Sequence, residues 1–355
     1  MLDGTVRKLA SRLERGVGAP AWDPLSRLWP RMVRLARPLR IPAGVRVLCV
    51  GGATLGGSGK TPLAVACAAR LLAGGVRAVY VGHGYRASVR RARFVSLDDD
   101  VRGVGDEALE AASRLGGHVV VGPTRQAAVD FAAAHADVLV LDGPLQLAPA
   151  RAHLALLAVD REVPLGSGVC PPRGDLRAPW SALRAQADLV VSVGDRLAPL
   201  VRGPDGDALV ATLDGRTVQL RGALHPLESL RGLRVGLATA TARPDRFLRL
   251  LARRGIAPLE TVHLADHSGL SLRRSSSLDC WVIPGKCAAA LRGRPDVAVL
   301  DYHIDLPADL ELRLDRSFRS AVPDARGTVV PFTAPSSRSG AEFQGNVRRE
   351  SFSKT

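Results

Sequence analysis

From about residue 45 the chain alternates short apolar runs with amphipathic, Ala-rich stretches. The apolar runs predict buried strands at residues 45–50, 76–81, 118–121, 138–141, 154–159 and 189–193. The amphipathic stretches predict helices at residues 60–72, 106–115 and 125–134. Strands that alternate with helices predict an α/β fold with a mostly parallel, doubly wound sheet.

A second cycle of the same pattern begins near residue 233. It predicts strands at 233–238 and 297–301 with a helix at 244–254. A stretch of mixed polarity at 205–230 contains PDGD and DGR turn sequences and predicts a boundary. We therefore expect a first domain at 41–215 and a smaller C-terminal α/β domain at 216–325. Residues 326–355 are rich in Ser, Arg and Gly without periodicity, which predicts a disordered tail.

Residues 1–40 form a basic segment of a different character. Between residues 24 and 40, Leu and Trp side chains are interleaved with five arginines. Pro30 and Pro38 are expected to break any single helix, which leaves one or two short amphipathic pieces. Such pieces suit a helix that lies in a membrane interface, and packing against the body of the protein fits the pattern equally well.

The charge of the chain indicates an anionic partner. Lys and Arg number 49 against 34 Asp and Glu, a formal net charge of +15, and only four of the 49 are lysines. Nucleic acid, acidic membrane lipid and a phosphorylated substrate all fit this excess, and a merely solvated surface is the alternative. Aromatic residues make up 4% and are not interleaved with the arginine clusters, which disfavours stacking on single-stranded nucleic acid. We expect no nucleic-acid partner and infer no obligate protein partner.

The cysteines and the hydropathy of the sequence restrict the cellular compartments in which the chain is expected. Five cysteines, an odd number at no metal-ligand spacing, predict a reducing compartment without a disulfide framework. No stretch approaches the roughly 20 apolar residues that span a bilayer. The N-terminus lacks the uncharged apolar core of a signal peptide. We expect a chain that is neither secreted nor threaded through a membrane.

A Gly-rich segment follows the first predicted strand and predicts a cradle for the phosphates of ATP. Its glycines let backbone N–H groups converge on phosphate oxygens at the start of a helix, whose dipole adds to the attraction. The Lys can reach the β- and γ-phosphates, and the last Thr hydroxyl can hold Mg²⁺. The general motif has Gly where Thr54 stands, so an ordinary Gly-rich turn is the alternative. The predicted cradle residues are Thr54, Leu55, Gly56, Gly57, Ser58, Gly59, Lys60 and Thr61.

A carboxylate closes the predicted strand at 138–141. Asp142 at the end of an apolar strand is the usual position of an Asp near the metal in proteins with such a cradle. A strand that is simply capped by Asp-Gly explains the same residues. The strand by itself leaves both interpretations open.

Between residues 24 and 305 the chain resembles the tetraacyldisaccharide 4'-kinase family, the lipid A 4'-kinases. The family cradle reads V-G-N-x-T-V-G-G-T-G-K-T-P and carries Thr at the position of Thr54. The segments that carry the resemblance are VGGATLGGSGKTP at 50–62, GY at 84–85, GDE at 105–107, GSGVCPPRGDLRAP at 166–179, ARPDRF at 242–247 and DH at 266–267.

Two motifs depart from the family pattern. The family D-D-G-x-Q-H keeps its first Asp as Asp142 and its Gln as Gln146, while Gly143 and Leu147 replace the second Asp and the His. The later T-E-K-D keeps only Lys286. These replacements bear on metal coordination and on turnover.

The resemblance implies a P-loop NTPase-like fold and an ATP- and Mg²⁺-dependent phosphotransferase. Members of the family phosphorylate the 4'-hydroxyl of an acylated glucosamine disaccharide-1-phosphate in lipid A biosynthesis. They work as peripheral proteins on the anionic cytoplasmic face of the bacterial inner membrane. One rival interpretation is a P-loop ATPase or GTPase that acts on a protein partner. The other is a degenerate, non-catalytic homologue, and the replacements at Gly143 and Leu147 are the evidence for it.

The resemblance also implies roles for individual residues. Asp106 and His267 form a catalytic dyad beside Lys60, although a helix-start carboxylate and an exposed turn histidine would explain the same two residues. The implied metal ligands are Thr61, Asp142 and Gln146. The implied substrate contacts, each of which can also be a surface ion-pair residue, are Arg125, Arg151 and Arg177.

Overall fold

The computed structural model describes most of the chain between residues 22 and 319. The described residues are 22–34, 38–82, 84, 87–143, 145, 147–148, 151–195, 208–241, 243–264, 272–288, 291 and 294–319. The predicted tail at 326–355 and the first 21 residues of the basic segment lie outside them, so the predictions made for those residues stay predictions.

The first half alternates strands and helices closely as the apolar pattern predicts. Its helices are α1 (Asp23–Arg34), α2 (Lys60–Ala73), α3 (Val101–Val104), α4 (Asp106–Leu115), α5 (Arg125–Ala133) and α6 (Trp180–Arg184). Its strands are β1 (Leu39–Arg40), β2 (Arg46–Gly52), β3 (Ala78–Val81), β4 (Arg93–Phe94), β5 (Val119–Val121), β6 (Val138–Asp142), β7 (Leu147–Ala148), β8 (Leu154–Asp160) and β9 (Leu189–Asp195).

The second half adds six strands, two helices and two short 3₁₀ turns to the described structure. The strands are β10 (Leu209–Leu220), β11 (Ala223–Pro226), β12 (Val235–Thr239), β13 (Glu260–His263), β14 (Cys280–Pro284) and β15 (Val297–Asp305). The helices are α7 (Asp245–Arg253) and α8 (Ala308–Phe318), and the 3₁₀ turns are Leu227–Leu230 and Gly285–Cys287.

Thirteen of these strands form one sheet. Twelve of them follow the order β13-β12-β14-β15-β10-β9-β8-β2-β6-β3-β5-β4, and β11 pairs with β10. Neighbours are parallel except at β4–β5, β10–β11 and β10–β15. The central strands β6 and β8 are buried along their whole length, as expected for parallel strands with helices on both faces. The predicted α/β fold with a mostly parallel sheet is confirmed.

Strand β10 runs through the region where the sequence predicts a boundary. It pairs with β9 on one side and with β15 on the other, so the strands of both halves share the sheet. The DGR sequence at 214–216 is part of this strand, so the turn predicted there is wrong. The pairing of β10 with β15 shifts register between Gly215 and Thr217, as at a β-bulge, so the strand continues through the DGR sequence. The division into domains at 41–215 and 216–325 stays a prediction.

Helix α1 continues through Pro30, so the predicted break at this residue is wrong. Contacts with the segment at 171–179 hold the helix and offset the cost of the proline. The Trp29 indole Nε1 donates a hydrogen bond to the Arg177 carbonyl at 2.8 Å, and the Arg173 backbone N–H donates to Ser26 Oγ at 3.1 Å. The described part of the basic segment therefore packs against the body of the protein.

Aliphatic side chains fill the core, as the low aromatic content requires. Fully buried leucines lie on β2, β6, β8 and β12, namely Leu48, Leu139, Leu156 and Leu237. All five cysteines are buried free thiols. Across the described residues every helix is too short or too polar to cross a bilayer.

Candidate active site

The Gly-rich segment forms a loop between β2 and α2. Thr54 is buried, and its hydroxyl donates a hydrogen bond to the Gly56 carbonyl at 2.7 Å inside the loop. The Leu55 backbone N–H donates to the Asp175 carbonyl at 2.8 Å, which ties the loop to the segment before α6. Thr54 thus serves as an internal brace of the loop, which accounts for its presence where the general motif has Gly.

Gly59 directly precedes α2 and requires the absence of a side chain. Its φ is +80°, and an added Cβ would lie 2.6 Å from the Val193 Cγ1. Helix α2 begins at Lys60 without a side-chain cap on its first N–H groups. Uncapped N–H groups at a helix start, together with the helix dipole, form an anion-binding site.

Three side chains meet on the Asp142 carboxylate beside this helix start. The hydroxyls of Thr61 and Tyr80 donate hydrogen bonds to Asp142 Oδ2 at 2.6 and 2.9 Å. The Lys60 Nζ lies 3.4 Å from Asp142 Oδ1 and donates to the Thr61 hydroxyl at 3.1 Å. The structure therefore brings Lys60, Thr61 and Asp142 together. Tyr80 was missed, and its only signal was a hydroxyl in an otherwise apolar strand.

The oxygen atoms at this junction fit Mg²⁺. Asp142 is 2% exposed, and its Oδ1 has no hydrogen-bond partner among the described residues. A buried carboxylate oxygen beside a Thr hydroxyl belongs to the oxygen donor set that Mg²⁺ prefers. Thr61 and Asp142 are thus suited to hold the ion, directly or through its waters.

Arg125 lies beside Gly143, the position at which the family has its second Asp. The Arg125 Nη1 donates a hydrogen bond to the Asp142 carbonyl at 2.7 Å. Gly143 has a φ of +105°, and an added Cβ would lie 2.9 Å from Arg125 Nη2. The guanidinium therefore fills the space that a side chain at position 143 would need.

A second arginine from the predicted set also lies at the cradle. The Arg177 Nη2 is 3.4 Å from the Leu55 carbonyl oxygen, and its buried Nε has no hydrogen-bond partner among the described residues. Burial lowers the pKa of Arg177, and the neighbouring Arg125 charge adds to the effect. Cations that are buried close together at a cradle are typical of an anion-binding site.

Arg151 lies elsewhere. It is exposed and pairs with Asp188 at 3.3 Å, and Asp188 accepts the Ala155 backbone N–H at the amino end of β8. The cradle follows the carboxyl end of β2, a parallel neighbour of β8. Arg151 is therefore at the opposite edge of the sheet and is not brought to the cradle.

Asp106 begins α4 and belongs to a second cluster of charges, together with Glu107 and Lys286. Burial raises the pKa of Asp106 above its ordinary value, although the Lys286 charge opposes the shift. The Lys286 Nζ donates to Glu107 Oε1 at 2.7 Å. Burial alone would lower the pKa of Lys286, but Glu107 and Asp106 raise it, so the amine stays protonated. His267 and Gln146 lie outside the described residues.

The fold and the cradle define a P-loop nucleotide-binding protein of the α/β class. A sequence model of the family described as Tetraacyldisaccharide-1-P 4'-kinase matches residues 21–315. The chain belongs to this family, and with it to the phosphotransferases that act on a hydroxyl group.

Sequence relatives agree with this placement, and one solved structure shares the fold. The tetraacyldisaccharide 4'-kinase of Anaeromyxobacter sp. is 34% identical over 328 residues, which cover 84% of this chain and 86% of the relative. The tetraacyldisaccharide 4'-kinase of Geobacter sulfurreducens is 33% identical over 350 residues, with 88% and 98% covered. The crystal structure of LpxK from Aquifex aeolicus in complex with ATP matches the fold with a TM-score of 0.67 at 21% identity, covering 84% of this chain and 98% of that one.

We expect Gly59→Ala to lower ATP affinity by at least about tenfold, equivalent to about 1.4 kcal/mol, because the new Cβ displaces the loop from Val193. Gly44→Ala is the matched control, since Gly44 also has a positive φ of +82° but no atom within 4 Å of the added Cβ. Both variants should lose about 1–2 kcal/mol of unfolding free energy. Calorimetric titration with a non-hydrolysable ATP analogue measures the affinities. Equal ATP affinities in the two variants would contradict the assignment of the cradle.

Proposed function

We propose that this protein transfers the γ-phosphate of ATP to the 4'-hydroxyl of a tetraacylated glucosamine disaccharide-1-phosphate, a step of lipid A biosynthesis. The observation that carries the proposal is the junction of Lys60, Thr61 and Asp142 at the cradle. The relatives that cover most of the chain at about a third identity carry the name tetraacyldisaccharide 4'-kinase. The phosphate cradle is the part of the site that such a reaction needs first.

Phosphoryl transfer depends mainly on positioning and on neutralising charge. The bond between the γ-phosphorus and its bridging oxygen breaks, a bond to the 4'-oxygen forms, ADP leaves, and the hydroxyl proton passes to a base. Lys60, Arg177 and the N–H groups at the start of α2 hold the phosphate oxygens. Thr61 and Asp142 would hold Mg²⁺, with Gln146 as a further ligand, and the bound ion would neutralise charge on the β- and γ-phosphates.

The proton acceptor in this proposal is Asp106, with His267 as its partner. A buried carboxylate with a raised pKa is a stronger base than an ordinary Asp. His267 enters the proposal through the resemblance alone, as the partner that the family pattern implies for this carboxylate.

Lys60→Ala is expected to lower transfer by about a hundredfold to a thousandfold, because it removes a charge that stabilises the transition state. The measurement is incubation with γ-labelled ATP and the disaccharide-1-phosphate lipid, scored for 4'-phosphorylated product. Arg234→Ala, which removes a surface ion pair with Asp279, should keep the wild-type rate.

Two outcomes of this assay would favour the rival functions. Labelled inorganic phosphate without labelled lipid would favour a P-loop ATPase. Nucleotide binding without any turnover would favour a non-catalytic homologue. A Lys60→Ala variant with the wild-type rate would remove the cradle from the mechanism.

Asp106→Ala and His267→Ala are each expected to lower kcat strongly, and the double variant should be little worse than the poorer single one, because residues that act as a unit are not additive. A base must be deprotonated, so kcat/KM of the wild type should fall as the pH drops through the pKa of Asp106. The raised pKa places this fall above the ordinary value of about 3.9 for Asp. Additive losses, or an unchanged pH profile in Asp106→Asn, would rule out the dyad.

We also place the protein at the anionic cytoplasmic face of the inner membrane, with α1 as the docking element. Leu25 and Leu28 are 54% and 45% exposed on this helix, with the exposed Arg27 between them. Two other contacts of α1, through Ser26 and Trp29, attach it to the body of the protein. Exposed leucines beside a basic residue match an interfacial helix.

Leu25→Glu combined with Leu28→Glu should reduce binding to vesicles that contain anionic lipid, because it replaces apolar insertion by repulsion. Leu312→Glu is the matched control, since Leu312 is 53% exposed on α8. High salt should weaken binding of the wild type through screening. Sedimentation with vesicles measures the bound fraction, and equal binding by the double variant and the control would contradict the role of α1.

A further inference from the structure

Helix α7 presents arginines to the first half of the chain. Arg246, Arg249 and Arg253 lie three or four residues apart along α7, so they share one face of the helix, and Arg243 lies just before its start. Each pairs with a carboxylate near the carboxyl ends of β8 and β9 or in the segment before α6. The pairs are Arg243–Asp175, Arg246–Asp160, Arg249–Glu162 and Arg253–Asp195.

Arg246 differs from its neighbours because it also reaches the cradle. Its Nη2 donates hydrogen bonds to Asp160 Oδ2 and to the carbonyl oxygen of Gly57. Asp160 is itself fixed, since its Oδ1 accepts the backbone N–H groups of Glu162 and Val163 at 2.8 Å each. The Arg246 side chain is 11% exposed. The guanidinium is therefore oriented by a rigid carboxylate towards one peptide group of the loop.

Arg243 supports the other side of the same loop. Its Nη2 lies 3.7 Å from Asp175 Oδ2, and Ser167 holds Asp175 Oδ1 through its backbone N–H and its hydroxyl. The carbonyl of Asp175 accepts the Leu55 backbone N–H. Helix α7 thus contacts the cradle directly at Gly57, and Arg243, just before the helix, supports it indirectly at Leu55.

The direction of the Gly57 carbonyl decides which group faces the phosphates. A trans peptide is planar, so its C=O and the following N–H point in opposite directions. With the Gly57 carbonyl held by Arg246, the Ser58 N–H points the other way, away from the guanidinium. Gly56, Gly57 and Gly59 leave the loop free to adopt other conformations, since glycine accepts both signs of φ. A reversed peptide would present a carbonyl oxygen to the anion.

We propose that Arg246 is a positioning residue for nucleotide binding: it holds the Gly57 carbonyl outward so that the Ser58 N–H can bind a phosphate of ATP. ATP affinity then depends on the contact between α7 and the cradle. By linkage, bound ATP stabilises the docking of α7 to the same extent. The inference rests on nucleotide binding at the cradle and not on the identity of the phosphate acceptor.

The test compares Arg246→Ala with Arg249→Ala in the full chain. Arg249 forms the same kind of ion pair one turn further along α7, with Glu162, and makes no hydrogen bond to the cradle among the described residues. Arg246→Ala should raise the Kd for a non-hydrolysable ATP analogue by about tenfold, the effect of one charge-assisted hydrogen bond. Arg249→Ala should lower the Tm comparably and leave the Kd within about twofold. Calorimetric titration measures Kd, and thermal unfolding measures Tm.

Two further variants keep the test decisive. Arg246→Lys retains a cation that can bind the Gly57 carbonyl and should recover part of the ATP affinity. Arg246→Met retains most of the volume without a hydrogen-bond donor, so it covers the case in which Arg246→Ala does not fold. Equal weakening by the Arg246 and Arg249 variants, or wild-type affinity in Arg246→Met, would overturn the proposal. Binding is measured without lipid, so an absence of transfer to the disaccharide would count against the proposed function alone.

Discussion

The site depends on one interaction, the hydrogen bond from the Thr61 hydroxyl to the Asp142 carboxylate at 2.6 Å. It joins the start of α2 to the end of β6, and the parallel pairing of Val50 with Asp142 sets the distance between them. A buried carboxylate needs partners, because an isolated charge in the interior is costly. Lys60, Tyr80 and Thr61 supply them, so the charge that organises the junction also gathers the groups that we propose to bind phosphate and metal.

Gly143 gives this junction a different charge from the family pattern. Where the family motif has two adjacent Asp residues, this chain has one carboxylate and an arginine that fills the remaining space. The junction therefore holds less negative charge than a pair of carboxylates would. A metal ion bound here would rely more heavily on Asp142, and the Arg125 guanidinium lies beside this residue.

Local patterns predicted much of this arrangement, and contacts between distant residues did not follow from them. The apolar runs placed β2, β6 and β8, and α4 has the predicted bounds of 106–115. Pro30 and the DGR sequence were overridden by tertiary contacts of α1 and by strand pairing of β10. Arg246 contacts Gly57 across 189 residues, a pairing for which neither periodicity nor motif spacing carries a signal. The sequence therefore predicted the site residues that lie together in one strand–loop–helix unit, and it did not predict contacts that form only when the chain folds.

The most direct measurement is the Mg²⁺ dependence of ATP binding in Asp142→Asn, with Tyr80→Phe as the control. Tyr80→Phe removes one hydrogen bond to Asp142 but keeps the carboxylate and the Thr61 contact. We expect ATP affinity to rise with Mg²⁺ in the wild type and in Tyr80→Phe, and Asp142→Asn to lose most of this rise. An Asp142→Asn variant with the wild-type Mg²⁺ dependence would contradict the role of Asp142 in metal binding.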